Sequence, residues 1–168
     1  MMKPLFALSL LSLFSCSCTG CNRLPDVPPV SYEYTLSAMR YHHLHWYRVE
    51  TMEDGAVRLL VQHGNSDVLI VRAPDDIFLR IHKLVRKYGL IRLKSDYRTS
   101  RKILDGKSWH VSINYPDTDT IYSRGYHAWP GRRLWSGIEA INRMLQDIAD
   151  TAKDEDILGS VKERDLDK

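Results

Sequence analysis

The stretch APDDIFLRIHKLVRKYG, residues 73–89, decides the fold, because it is a helix set between strands. Pro74 stands near the first turn, Asp75 and Asp76 lie where the macrodipole favours acids, and Gly89 supplies the stop. Ile77, Phe78, Ile81, Leu84, Val85 and Tyr88 recur at helical spacing, so one face belongs to a core. Upstream, residues 32–38 alternate apolar and polar, the mark of a half-buried strand. Further strands are predicted over 44–52, 57–63 and 68–72, separated by Glu53-Asp54-Gly55 and Gly64-Asn65-Ser66 turns. Arg40-Tyr41-His42-His43 lacks Gly, Pro, Asn and Asp; it reads as a turn, with a helix through this region as the alternative.

Downstream, 109–115 and 120–126 form a hairpin around Pro116-Asp117-Thr118-Asp119. After Trp129-Pro130-Gly131 a second helix carries Leu134, Ile138, Ile141, Leu145, Ile148 and Ala152 on one face. The expected fold is α+β: a mostly antiparallel sheet of about six strands in ββββ-α-ββ-α order, with two amphipathic helices packed on it. The domain spans 31–150, and 151–168 reads as a charged, solvated tail.

The composition, 43% hydrophobic and 27% charged, is that of an ordinary globular chain, and a net charge of +3 argues against a polybasic nucleic-acid binder. All three cysteines, Cys16, Cys18 and Cys21, precede the domain, which therefore holds together without disulfides or a thiolate zinc site. Met1 to Pro4 carries one lysine and runs into an apolar stretch over 5–14, too short to cross a bilayer and of the length of a signal-peptide core. Cys18-Thr19-Gly20-Cys21 spells C-x-x-C, but it is followed by proline-rich sequence rather than by the helix that activates a redox pair.

Leu13-Phe14-Ser15-Cys16 resembles the lipobox of bacterial lipoproteins, with Phe14 bulkier than usual and Cys21, after Thr19-Gly20, as the alternative acylated residue. The resemblance implies cleavage after residue 15, a lipidated cysteine and an extracytoplasmic protein of the cell envelope. Ser17 after Cys16, by resemblance to sorting in enteric bacteria, permits the outer membrane if the cell is Gram-negative. Two or three acyl chains anchor firmly where one is marginal. Residues 16–30, with prolines at 25, 28 and 29, then read as an extended tether. A second resemblance lies in the domain. Asp105-Gly106-Lys107-Ser108-Trp109 and Ser123-Arg124-Gly125-Tyr126-His127-Ala128-Trp129-Pro130 are similar to a D-G-x-x-W and S-x-G-x-x-A-W-P pattern of small uncharacterised bacterial lipoproteins. It implies this fold and no activity; here Pro116-Asp117-Thr118-Asp119 replaces the Asp-Gly those proteins often carry at the last turn.

Chemistry is sparse. Gly106-Lys107-Ser108 lacks the earlier glycine of a P-loop, since Arg101 holds that position, and no G-x-S-x-G elbow is present. His42-His43-Leu44-His45 is the metal lure: on a regular strand His43 and His45 project together, with a third ligand to come from His63, His110, His127 or a carboxylate. Packed or exposed histidines are the plainer account, and no cofactor is expected. The charge pattern says more. Residues 80–107 hold ten basic side chains against Asp96 and Asp105. Arg80, Lys83 and Lys87, off the apolar stripe, together with Arg98, Arg101 and Lys102, form an expected basic face for an anionic lipid, glycan or protein. Tyr126, Trp129 and Trp135 near Arg132-Arg133 are candidates to stack on a sugar. The expected function is non-catalytic binding or envelope accessory work; the alternatives are a metal-dependent or other hydrolase using residues 42–45, and a structural envelope component.

Overall fold

A computed structural model describes residues 24–38, 41–100, 106–116 and 120–166, the side chains of Tyr41 and His42 excepted. The signal segment, Cys16, Cys21, Arg101 and Lys102 lie outside these residues. The fold is α+β, one mostly antiparallel sheet with two helices. In chain order the elements are β1 (Ser31–Ala38), β2 (Tyr41–Thr51), β3 (Val57–His63), β4 (Val68–Arg72), α1 (Ile77–Tyr88), β5 (Asp96–Arg98), β6 (Ser108–Asn114), β7 (Thr120–Tyr126), α2 (Arg132–Asp150) and β8 (Ile157–Val161). The sheet runs β5-β7-β6-β1-β2-β3-β4-β8, and only β5 and β7 pair in parallel.

Both helices lie on one face. Ile77, Ile81 and Val85 of α1 and Ile138, Ile141 and Leu145 of α2 join Tyr32, Val49, Leu59, Trp109, Val111 and Ile113 in the main core. The helices cross where Gly137 leaves no room for a side chain: a Cβ there lies 2.6 Å from Tyr88 Cβ. Strands β6 and β7 bury every second residue, as a sheet covered on one side requires. Strand β3 does not alternate, because both of its faces are covered: Leu59 and Val61 face the helices, while Leu60 packs with Trp46, Val68, Val161 and Leu166 in a second, smaller cluster on the other face.

Two strands exceed the expected set. The segment read as a solvated tail supplies β8, which pairs antiparallel with β4. Ile157 and Leu158 are both exposed, so β8 is held by pairing with the β4 edge and by Val161 on the second cluster, and its sequence carries no alternation to reveal it. Strand β5 has three residues, too few for any period. Residues 41–43 of the expected turn belong to β2. Leu36 pairs with His45 and Ala38 with Tyr41, so over this span β2 advances four residues while β1 advances two. Such a bulge breaks strand alternation.

The described part of the expected tether lies against the domain. Leu24 packs on the main core, Pro29 is buried, and the Val30 N–H donates to the Asn114 carbonyl at 2.7 Å.

Candidate functional site

Beyond the second cluster, the face away from the helices is uncovered across β1, β6, β7 and β5. Strand register lays its side chains out as a grid. One row reads Thr35, His110, Arg124 and Asp96; the next reads Ser37, Ser108, Tyr126 and Arg98; Tyr122 stands opposite Ser112. These rows enclose an open cleft of about 490 Å³.

Its charge is concentrated at the β5 edge. The Asp96 carboxylate accepts from Arg124 Nε at 3.0 Å and from Arg98 Nε at 2.5 Å, so one anion faces two guanidiniums. Neither arginine is consumed by this, since their side chains remain 71% and 54% exposed for Arg98 and Arg124. Tyr122 and Tyr126 are also exposed, the latter with its ring against Gly106. Flat apolar rings beside planar cations suit a ligand with a ring face and an acidic substituent.

At the β1 side of the cleft, Thr35 Oγ1 lies 3.3 Å and Glu33 Oε1 3.9 Å from the same atom, His110 Nε2. His110 holds the Glu33 carboxyl below the usual carboxylate range, with the Trp46 indole N–H donating to it at 3.1 Å, while partial burial opposes. A nucleophile-base-acid relay needs hydroxyl and carboxylate on opposite ring nitrogens. Here both meet one nitrogen and Thr35 is buried, so the trio orients the ring rather than activating the hydroxyl.

The expected basic face divides in two. Arg80, Lys83 and Lys87 are exposed on α1, on the helix side; Arg98 is on β5, in the cleft of the opposite face. The sugar-stacking trio divides likewise. Tyr126 lines the cleft, whereas Trp135 lies on the helix side between Tyr34, Trp109 and Trp129, with ring centroids 6.5, 5.4 and 6.3 Å away.

The bulge in β2 gives His43 and His45 different partners. His43 Nε2 lies 2.8 Å from Glu163 and its ring stacks on Trp46. His45 Nδ1 lies 2.8 Å from His63 Nδ1, and His63 Nε2 lies 2.6 Å from Gln146 Oε1, which also accepts from the Tyr47 hydroxyl at 3.0 Å. This chain ties the sheet to α2. Burial, with His63 beside it, lowers the His45 pKa, and burial pushes Tyr47 up to about 12. Among the described residues no three His, Cys, Asp or Glu side chains gather in a way that could hold a metal ion.

Asp96, Arg124 and Tyr122 were missed as site residues. Tyr122, Arg124 and Tyr126 occupy every second position of a strand whose other residues are buried, a signal present in the sequence. Asp96 had none, because its role depends on the parallel pairing of β5 with β7. No protein-family model matches this chain, and no similar protein was found among the curated proteins or the solved structures.

Proposed function

We propose that this chain is a lipid-anchored, extracytoplasmic protein of the cell envelope, acylated on Cys16 or Cys21, whose domain binds an acidic glycan without chemically altering it. The observation that carries the binding role is the outward cleft in which Arg98 and Arg124 converge on the single carboxylate of Asp96 beside exposed Tyr122 and Tyr126. The guanidiniums supply forked donors for carboxylate or sulfate groups, and the tyrosines supply stacking area. The Thr35-His110-Glu33 arrangement supports binding over catalysis, since both partners meet one ring nitrogen. The anchor rests on the lipobox-like Leu13-Phe14-Ser15-Cys16 and the short apolar run before it.

Intact mass of the mature protein tests the anchor: added acyl chains are expected, and they move with Cys16→Ala or Cys21→Ala. Calorimetric titration with polygalacturonate, against neutral dextran, tests the cleft. Binding to the acidic polymer alone is expected, weakened about tenfold or more by the Arg98→Gln/Arg124→Gln pair and strengthened by Asp96→Asn, which frees both guanidiniums. Equal affinity in all three proteins sinks the glycan reading.

A further inference from the structure

We propose that the side of α1 beside the N-terminal segment seats an anionic phospholipid surface, so that the anchored domain lies helix-side down on its own bilayer. This rests on the anchor reading above. It adds an occupant for the second basic surface, which the glycan cleft leaves unused.

Helix α1 carries Lys83, Arg86 and Lys87 on this side, while Arg80 pairs with Asp76 at the helix start. Asp26 and Pro28 of the N-terminal segment run beside it, and together with Leu79, Lys83, Arg86 and Lys87 they border an open groove of about 600 Å³. The groove wall also holds His82, only 4% exposed. Its Nδ1 lies 3.4 Å from the Tyr115 hydroxyl, while its Nε2, buried, has no hydrogen-bond partner. Burial pushes Tyr115 up to about 12, so the phenol keeps its proton, and in the tautomer with a bare Nδ1 it donates to that nitrogen. The imidazole proton then sits on Nε2. A buried N–H without an acceptor costs free energy, and a phosphodiester oxygen entering this basic groove satisfies it. Leu79 and Val27, 43% and 48% exposed, offer apolar side chains to the interfacial layer next to these cations.

Chain length sets the placement. The described chain begins at Leu24, already packed on the domain. From Cys21 to Leu24 a fully extended backbone spans at most about 11 Å, and from Cys16 at most about 29 Å. The acylated residue, held in the bilayer, therefore tethers Leu24 within about 11 Å of its anchor for Cys21 and within about 29 Å for Cys16. Anionic headgroups attract each nearby Lys or Arg by about 1 kcal/mol, a factor of about five, which favours the face that α1 presents. The sheet stands between α1 and the cleft, so the cleft then points away from the membrane.

The test uses the full-length acylated protein in phosphatidylcholine vesicles with or without phosphatidylglycerol, with lysine acetylation read by mass spectrometry. Lys83 and Lys87 are expected to react about fivefold more slowly when phosphatidylglycerol is present. Lys153 reports the background, and high salt reverses the protection. An Arg86→Glu variant, on an exposed position, is expected to lose the protection while keeping its circular dichroism. Equal reactivity in both vesicles, or protection by inorganic phosphate without vesicles or by rising protein concentration alone, overturns the proposal. Intact mass of the same sample reports acylation independently. Protein without acyl chains that still shows lipid-dependent protection sinks the anchor reading alone, and acylated protein without protection sinks this one alone.

Discussion

Gly125 shows why a short sequence pattern fixes one corner of this domain. It pairs with Trp109 across β6 and β7, and a Cβ there lies 2.3 Å from both Trp109 Nε1 and the Ala128 carbonyl oxygen. The indole N–H donates to that carbonyl at 2.8 Å, passing over the place where any side chain would stand. On the other side Tyr97 packs on Trp109 with ring centroids 5.8 Å apart. The Trp109, Gly125 and Ala128 positions of the domain pattern are thus parts of one contact, which Trp129 joins through Trp135 of α2. Gly125→Ala is expected to destabilise the protein by roughly 2–4 kcal/mol, since carbonyl and indole must both shift. Trp109→Phe loses the hydrogen bond and part of the ring, about 1–3 kcal/mol. Urea denaturation followed by tryptophan fluorescence ranks the two; a Gly125→Ala protein as stable as the wild type removes the close-approach argument.

At the scale of elements, the segment after α2 changes what the sheet can expose. Strand β8 covers the hydrogen-bonding edge of β4, and Val161 and Leu166 close over Leu60, Trp46 and Val68. Without them the apolar patch of Trp46, Leu60 and Val68 on β2, β3 and β4 is bare, and the β4 edge is open to pairing with other chains. Truncation after Asp156 is expected to lower the melting temperature by several degrees and to shift the protein toward aggregates on size exclusion. Leu166→Asp reproduces the first effect more mildly. A truncated chain that stays monomeric and equally stable shows that the segment lies idle on the sheet.

For the molecule as a whole, two imidazoles, buried His82 and partly desolvated His45, give stability a definite pH dependence. Burial first, with His63 near His45 and Arg86 near His82, lowers both pKa values, while Asp26 opposes the shift at His82. Groups with a depressed imidazole pKa bind protons in the unfolded chain first, at about 6.5, so the unfolded state gains as pH falls. Stability is expected to be full above about pH 7.5 and to decline toward pH 5. Replacing His82 by Leu removes one of the two contributions, and melting temperatures across that interval measure the difference. An unchanged slope in His82→Leu assigns the acid sensitivity elsewhere.

The helical stripe over 77–88, the four-strand meander before it and the hairpin after it are legible because each is a local period that the core face obeys. The positions of β3 and β4 could be read to the residue, since Gly55 and the Gly64-Asn65-Ser66 turn bracket them. Charge was equally legible as an excess over 80–107, but not its division between faces. That division follows from β5 pairing in parallel with β7, a non-local contact that carries Arg98 to Arg124 and away from α1. The histidines followed the same rule: the residues 42–45 were visible, and the bulge that separates His43 from His45 was not, because it arises from the register between β1 and β2. By itself the sequence determined which segments bury a face and where cations gather, both properties of neighbouring residues. Only the tertiary structure decided which cations share a surface, which edge the last strand covers and where a cleft is left open, because these depend on strand order and register between residues far apart in the chain.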